Sequence, residues 1–351
     1  MKAERYEGID GLKAYAILGI VLMHVLANGK YKIGGFMFEQ FIPSCADLVF
    51  LFMTVSAFGM CCGYYQKVVD QKINVEDFYK KRYIKIWPYF AFLCVLDFAI
   101  SPNKESLFEV FANLTLCQGL LPNMNISVIG VSWTLAVIFV FYLLFPFFCF
   151  LLESKKRAWL TFVCAIIYNF ACSAYFFDGN HIADKVTVSF SARTNILYCA
   201  VYFIAGGVIF LYRTELTNFV SKYKVIVEMI LLAATVVYFV IGSSTVTMLL
   251  FCVTVLTYTL GCRTVGILIN PVAKFLGSIC FEIYLCHMVI YRMLEKLNLV
   301  HMFKNDLLAY IFTVIIVICG SVVFSICARW FLNKIETFLK ERVKNRRVHY
   351  V

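Results

Sequence analysis

The sequence predicts an all-α integral membrane protein, a bundle of about ten transmembrane helices with both termini cytoplasmic. Three observations carry that prediction. The 351-residue chain is 62% hydrophobic and only 15% charged, with a mean hydropathy of +0.81. An ordinary soluble domain is about half apolar and a quarter charged. The apolar residues gather into ten runs of similar length, and Lys and Arg fall unevenly between alternate connections.

In chain order the runs are 10–28, 44–65, 84–101, 131–152, 158–177, 194–212, 225–242, 246–262, 274–291 and 308–332. Each approaches the roughly 20 residues that an α-helix needs to cross about 30 Å of hydrocarbon. Helices are required there because lipid offers backbone N–H and C=O groups no partner. The first run is not a cleavable signal peptide, because Asp10 and Lys13 interrupt its start and no small-residue cleavage site follows. The apolar stretch 106–121 contains Asn113 and Gln118 and is followed by Pro122. It is expected to form an amphipathic surface or re-entrant segment rather than an eleventh span. No Pro/Gly/Ser linker and no repeat divides the chain, so 1–351 reads as one transmembrane domain with a basic cytoplasmic tail from about 333.

Orientation follows from the basic residues. With the N-terminus inside, 24 of the 32 Lys and Arg fall on the cytoplasmic side and 8 on the other. The net charge of +11 is therefore read as positive-inside bias and contact with anionic lipid headgroups. The tail bearing Lys340, Arg342, Lys344, Arg346 and Arg347 follows the last run directly, so a nucleic-acid partner is not expected. Most of the 15 Cys lie inside runs, where a thiol acts as a small apolar group. No metal-type CxxC pair occurs, and no metal site is expected. Cys45 and Cys117 both fall on the outer side, which leaves one disulfide open.

Ionisable groups at membrane depth are costly and normally face the bundle interior or a water-filled cavity. In the first run, Lys13 and His24 are eleven residues apart, about 20° beyond three full turns, and Asp10 lies within about 40° of the same line. One helix face thus carries an acid and a base at its cytoplasmic end and an imidazole about 16 Å higher. His24 then either hydrogen-bonds within the bundle or serves a site. The loop ending Lys80-Lys81-Arg82-Tyr83-Ile84-Lys85-Ile86-Trp87-Pro88 either anchors topology or presents Arg82 and Lys85, three residues apart, to a phosphate-bearing ligand. His287 lies near the outer end of the ninth run with Tyr284 one turn below it, and Glu282 deeper still must be neutral, paired or hydrated. Asp47, Trp133, Arg193 and Asn195 begin other runs at the outer face. Two His, one Asp and one Arg are thereby expected at a single membrane level.

In these features the chain resembles the membrane acyltransferase 3 family, integral-membrane O-acyltransferases of surface polysaccharides. Lys13, ten residues and His24 fit the family's first-helix pattern. Asp47 through Ser56-Ala57-Phe58 is similar to its second-span pattern, with Ala57 in the place of Gly. Arg82-Tyr-Ile-Lys85-Ile-Trp-Pro88 resembles its Arg-x-x-Arg-Ile-x-Pro, with Lys for the second Arg. Trp133-Thr-Leu135 with Tyr142 and Pro146, and Phe275-Leu-Gly277 through Ile283-Tyr284-Leu285-Cys-His287, complete the ordered set. Ile138 stands where many members carry Glu, so no role resting on that carboxylate is expected.

The resemblance implies an acyl-CoA donor, usually acetyl-CoA, arriving from the cytoplasm, and a hydroxyl on an extracytoplasmic carbohydrate or lipid-linked glycan as acceptor. It places the protein in a cell membrane as a multi-pass protein, most simply a bacterial plasma membrane. Lys13, Lys81, Arg82 and Lys85 are the expected donor-binding cations. His24 is the expected general base, with transient acylation of His24 as the alternative. His287 joins it, Asp47 orients a histidine, and Arg193 or Asn195 stabilises the thioester oxyanion. A transporter or flippase of a cell-envelope precursor is the competing reading, although its helices are typically broken at the midplane, and these runs hold few mid-membrane Pro or Gly pairs. A non-catalytic sensor or assembly module is the third.

Overall fold

The computed structural model describes residues 6–100, 102–120, 128–176, 192–262 and 265–348. Among them every regular element is helical. Six continuous helical stretches are long and apolar enough to cross a membrane: Gly8–Gly29, Met37–Val69, Val75–Ile100, Lys155–Ala174, Lys224–Ile241 and Asp306–Phe338. Three further spans arise if each bent helix pair counts as one, and Thr245–Gly261 is a shorter apolar helix. The ten apolar runs thus each have a helical counterpart, of which six to nine qualify as spans by length and composition. The protein is a multi-pass α-helical membrane protein.

The helices that position the site are α1 (Gly8–Gly29), α2 (Leu48–Met60), α3 (Val75–Ile100), α4 (Lys104–Leu114), α5 (Ser132–Leu143), α6 (Phe145–Leu151), α7 (Lys155–Ala171), α8 (Ile196–Leu211), α9 (Arg213–Lys222), α10 (Lys224–Val236), α11 (Thr245–Gly261), α12 (Pro271–Ser278), α13 (Cys280–Lys296) and α14 (Asp306–Val348). The basic tail is the continuation of α14. Short polar side chains set several helix starts: Asn195 accepts from the Leu197 N–H at α8, and Asn270 caps α12 ahead of Pro271.

Each run is read from the sequence as one span, and three of their helical counterparts are bent pairs. The α5–α6, α8–α9 and α12–α13 pairs bend by 64°, 73° and 73° at short breaks. The breaks fall at Leu144, Tyr212 and Ile279, at the bundle end that carries the Lys80–Lys85 cluster. At the first of them the cause is local, because Pro146 cannot donate to the preceding turn. A break at the midplane, the transporter signature, is not what these bends are.

The described part of the stretch 106–121, residues 106–120, folds back. Trp87 Nε1 donates to the Leu114 carbonyl at 2.9 Å, and Tyr83 Oη donates to that of Thr115 at 3.4 Å. Trp87 lies thirteen residues, about 20 Å, along α3 from Ile100. The chain leaving α3 at Ile100 has therefore returned most of the way along it by the end of α4. That is the re-entrant alternative, with Leu107, Phe108 and Phe111 exposed on its flank.

Close helix approaches rest on small residues. A Cβ added to Gly206 on α8 would lie 2.2 Å from the Thr54 carbonyl oxygen of α2, and one on Gly277 would lie 1.9 Å from that of Asp10. α1 is the hub: it packs against α2, α12, α13 and α14.

Candidate functional site

Helices α1, α2, α3, α5, α12, α13 and α14 enclose a cavity of about 550 Å³. Its lining includes Asp10, Lys13, Arg82, Lys85, Glu282 and Arg329 at the basic end, and Phe52, Thr134 and Tyr284 deeper in. The volume is that of a small-molecule site.

Its cations differ in what they already hold. Lys13 pairs with Asp10 at 3.5 Å, one turn back on α1. Arg329 pairs with Glu282 through Nε and donates from a second nitrogen to the Ser278 carbonyl at 2.8 Å. Arg82 instead bonds neutral groups: a terminal nitrogen donates to Tyr64 Oη at 2.6 Å and the other to Met60 Sδ at 3.2 Å, with the Tyr64 ring 4.5 Å from the guanidinium carbon. Its Nε is buried without a partner. Lys85 has no ion-pair partner among the described residues. Two cations thus stay unneutralised in a semi-enclosed space, which suits an anionic ligand. Tyr142, bonded to Ser56 at 2.9 Å, backs the Arg82 guanidinium from 5.9 Å.

Lys81 does not join this group. It is outside the cavity lining, because each helical residue turns about 100° and Lys81 points away when Arg82 points in. Its expected donor contact is corrected accordingly.

Beyond the cavity's deep end sit the two histidines. His24 of α1 and His287 of α13 place their ring centroids 5.2 Å apart. His287 is fully buried, with Nδ1 2.7 Å from the Tyr284 carbonyl oxygen and 3.2 Å from that of Ile283. Both neighbours are acceptors, so Nδ1 carries the proton and donates. Nε2 of the neutral ring is then a lone pair, and it is buried with no partner. Tyr284 separates the pair from the cavity: its ring lies 6.0 Å from that of His287 and 6.1 Å from that of Phe52. Its hydroxyl is fixed by the Val131 carbonyl at 3.0 Å and Thr134 Oγ1 at 2.9 Å.

The expected outer-face group divides in two. Asp47 forms an ion pair with Arg193 rather than orienting a histidine, and His287 is oriented by carbonyls of its own helix. Arg193 also donates to the Ala46 carbonyl at 3.2 Å and sits 5.3 Å from the Phe50 ring, so its guanidinium is already committed. Asn195 is the α8 cap. Neither is placed as an oxyanion donor. The rest of the outer connection before Ala192, with Lys185, and Lys2 and Arg5 at the N-terminus lie outside the described residues. Cys45 and Cys117 are both free thiols.

Sequence reasoning missed Arg329 and Tyr64. Arg329 lies near the end of the last apolar run, where it reads as one more cytoplasmic cation, and only the unexplained Glu282 hints that a cation must reach it. Tyr64 carries no signal beyond being aromatic near a helix end.

A family model described as an acyltransferase domain matches residues 6–328 of this chain. The chain is also similar to the O-acetyltransferase OatA of Staphylococcus aureus strains NCTC 8325, COL and MRSA252, at 26% identity over 225 residues in each case. Those matches cover 58% of this chain and 36% of each relative, so the chain spans little more than a third of the length of these curated relatives. No solved structure matches.

Proposed function

The chain belongs to the acyltransferase 3 family, and on that premise we propose that it moves an acetyl group from cytoplasmic acetyl-CoA to a hydroxyl of an extracytoplasmic glycan or glycolipid. The single observation that carries this reading is the cavity, with two unneutralised cations at one end and two adjoining imidazoles just past the other.

The spacing supports it. Tyr89, one turn further along α3 than Lys85, donates to the Glu282 carbonyl at 3.2 Å. His287 lies five residues beyond Glu282. Together these steps place His287 about 14 Å above Lys85 along the helices, comparable with the reach of an extended pantetheine arm. Arg82 and Lys85 then hold phosphate, with Lys13 and Arg329 adding field.

His24 takes the proton of the acceptor hydroxyl as its oxygen attacks the thioester carbonyl. The His287 ring, 5.2 Å from that of His24, has the unpartnered Nε2 lone pair with which to stabilise the developing imidazolium, as an orienting partner does for a general base. When the carbon–sulfur bond breaks, His24 returns the proton to the leaving thiolate. In this proposal the basic end and both termini face the cytoplasm, and the membrane is a bacterial plasma membrane. Membranes bearing the protein should transfer label from acetyl-CoA to a glycan acceptor, and a His24→Ala variant inserted at equal level should not. Transfer of intact glycan across the membrane without acetyl-CoA would favour the transporter reading instead.

A further inference from the structure

The Glu282 carboxylate has an unmet demand. Its side chain is only 9% exposed. Oε1 is held by the Arg329 guanidinium, whereas Oε2 is buried and has no hydrogen-bond partner. Both residues line the cavity. A buried acceptor without a donor is costly, and a negatively charged oxygen in a low-dielectric site more so. Among the described residues no N–H or O–H reaches that oxygen, so a donor to it has to come from what occupies the cavity.

We propose that Glu282, held in place by Arg329, accepts a hydrogen bond from an amide N–H of the donor's pantetheine arm, specifically the amide nearest the thioester. This rests on the acyl-CoA reading above and adds a specificity-determining residue to it. The phosphates are excluded as partners of Glu282, because like charges repel and Lys85 lies one turn of α3 before Tyr89, the residue that reaches the Glu282 carbonyl. Axial position selects among the remaining N–H groups. Glu282 lies five residues before His287 on α13, a rise of about 7.5 Å. The nearest amide nitrogen of an acyl thioester is about four bonds, roughly 5 Å, from the thioester carbon. With that carbon beside the histidines, the nitrogen falls at the level that Glu282 reaches. The adenine amine lies beyond the phosphates, at the opposite end of the donor.

Arg329 is the positioning residue in this arrangement. It binds Oε1 and the Ser278 carbonyl together, which leaves Oε2 as the free oxygen. Its cost is that of ordering a long side chain of α14 against α13.

The test compares three donors on the full-length protein in membranes: acetyl-CoA, an analogue with an ester oxygen in place of that amide N–H, and an analogue with a 6-oxo purine in place of adenine. The wild-type chain should lose about 10–100-fold in kcat/KM on the ester analogue, the range of a charge-assisted hydrogen bond, and nothing on the 6-oxo analogue. In the double variant Glu282→Ala/Arg329→Leu, which leaves no orphaned guanidinium, the ester penalty should fall to within about threefold. Glu282→Gln preserves shape and should give an intermediate ratio, so the result does not depend on the double variant folding. An ester penalty unchanged in both variants overturns the proposal. A penalty that falls on the 6-oxo analogue and vanishes with Glu282 assigns the carboxylate to the adenine amine and overturns the amide assignment. If the wild-type chain does not use acetyl-CoA at all, the acyl-CoA reading fails and this inference fails with it.

Discussion

Arg193 closes on Asp47 in an ion pair between the segment before α8 and the start of α2, and the Arg193 guanidinium also holds the Ala46 carbonyl at 3.2 Å. The pair joins two helices whose contact is among the closest in the molecule, at Gly206 against Thr54. It is therefore a fastening of the bundle. Asp47→Asn and Arg193→Gln should each lower thermal stability in detergent, and the two losses should be non-additive by about 0.5–3 kcal/mol in a double-mutant cycle. Additive losses would mean the two side chains do not act together.

The Gly206 contact makes a second stability prediction. A methyl group there would fall 2.2 Å from a backbone oxygen, and backbone cannot rotate aside. Gly206→Ala should destabilise by about 1–3 kcal/mol. At Gly59, where an added Cβ meets nothing within 4 Å, Gly59→Ala should be neutral or stabilising. Equal behaviour at the two sites, read as melting temperature in detergent, would contradict the packing.

The donor end separates neighbours in sequence. Arg82→Ala with Lys85→Ala should weaken acyl-CoA binding by roughly 2–4 kcal/mol, allowing 1–2 for each charge-assisted contact. Lys81→Ala should change it little, because Lys81 is outside the cavity lining. Equilibrium binding of a fluorescent CoA measures both. Equal losses at Lys81 and Arg82 would reduce the cluster to a general electrostatic field.

Orientation is tested by labelling single cysteines in a Cys-depleted background. Reagent added outside intact cells should modify positions 30 and 304 and spare 72 and 156. Labelling at 72 would put the Lys80–Lys85 cluster on the outer side, and acyl-CoA would then have to arrive from the wrong compartment.

Much of this was legible in the sequence. Ten apolar runs have ten helical counterparts, because lipid leaves the backbone no other structure. The face shared by Asp10, Lys13 and His24 was readable from helical periodicity, as was the inward aim of Arg82 and Lys85. The bends at Leu144, Tyr212 and Ile279 were not, since hydropathy registers composition and not direction. Sequence position places Asp47, Arg193, His24 and His287 toward the same expected face, but which of them pair depends on azimuth between helices. That is why Asp47 was matched to a histidine when its partner is Arg193. Arg329 was hidden for a related reason: a cation at the end of a span reads as topology until a buried carboxylate is found beside it.

The tautomer of His287 makes a sharper prediction than its presence. His287→Asn keeps a donor near the position of Nδ1 and so retains the bond to the Tyr284 carbonyl, but it removes the lone pair of Nε2. Expression should hold and turnover should fall by about 10²-fold or more. Retained turnover would make the ring a structural member of α13.

In the proposed mechanism, acyl transfer depends most on His24. The decisive measurement is transfer from radiolabelled acetyl-CoA to acceptor in membranes, normalised to inserted protein, for His24→Gln against wild type. Gln keeps hydrogen bonding without a basic nitrogen. A general base contributes about 10²–10⁴-fold, so the account predicts that His24→Gln retains less than about a hundredth of wild-type turnover at unchanged insertion. Retention of more than about a tenth would contradict it, and His24 would then be a hydrogen-bonding residue of the bundle.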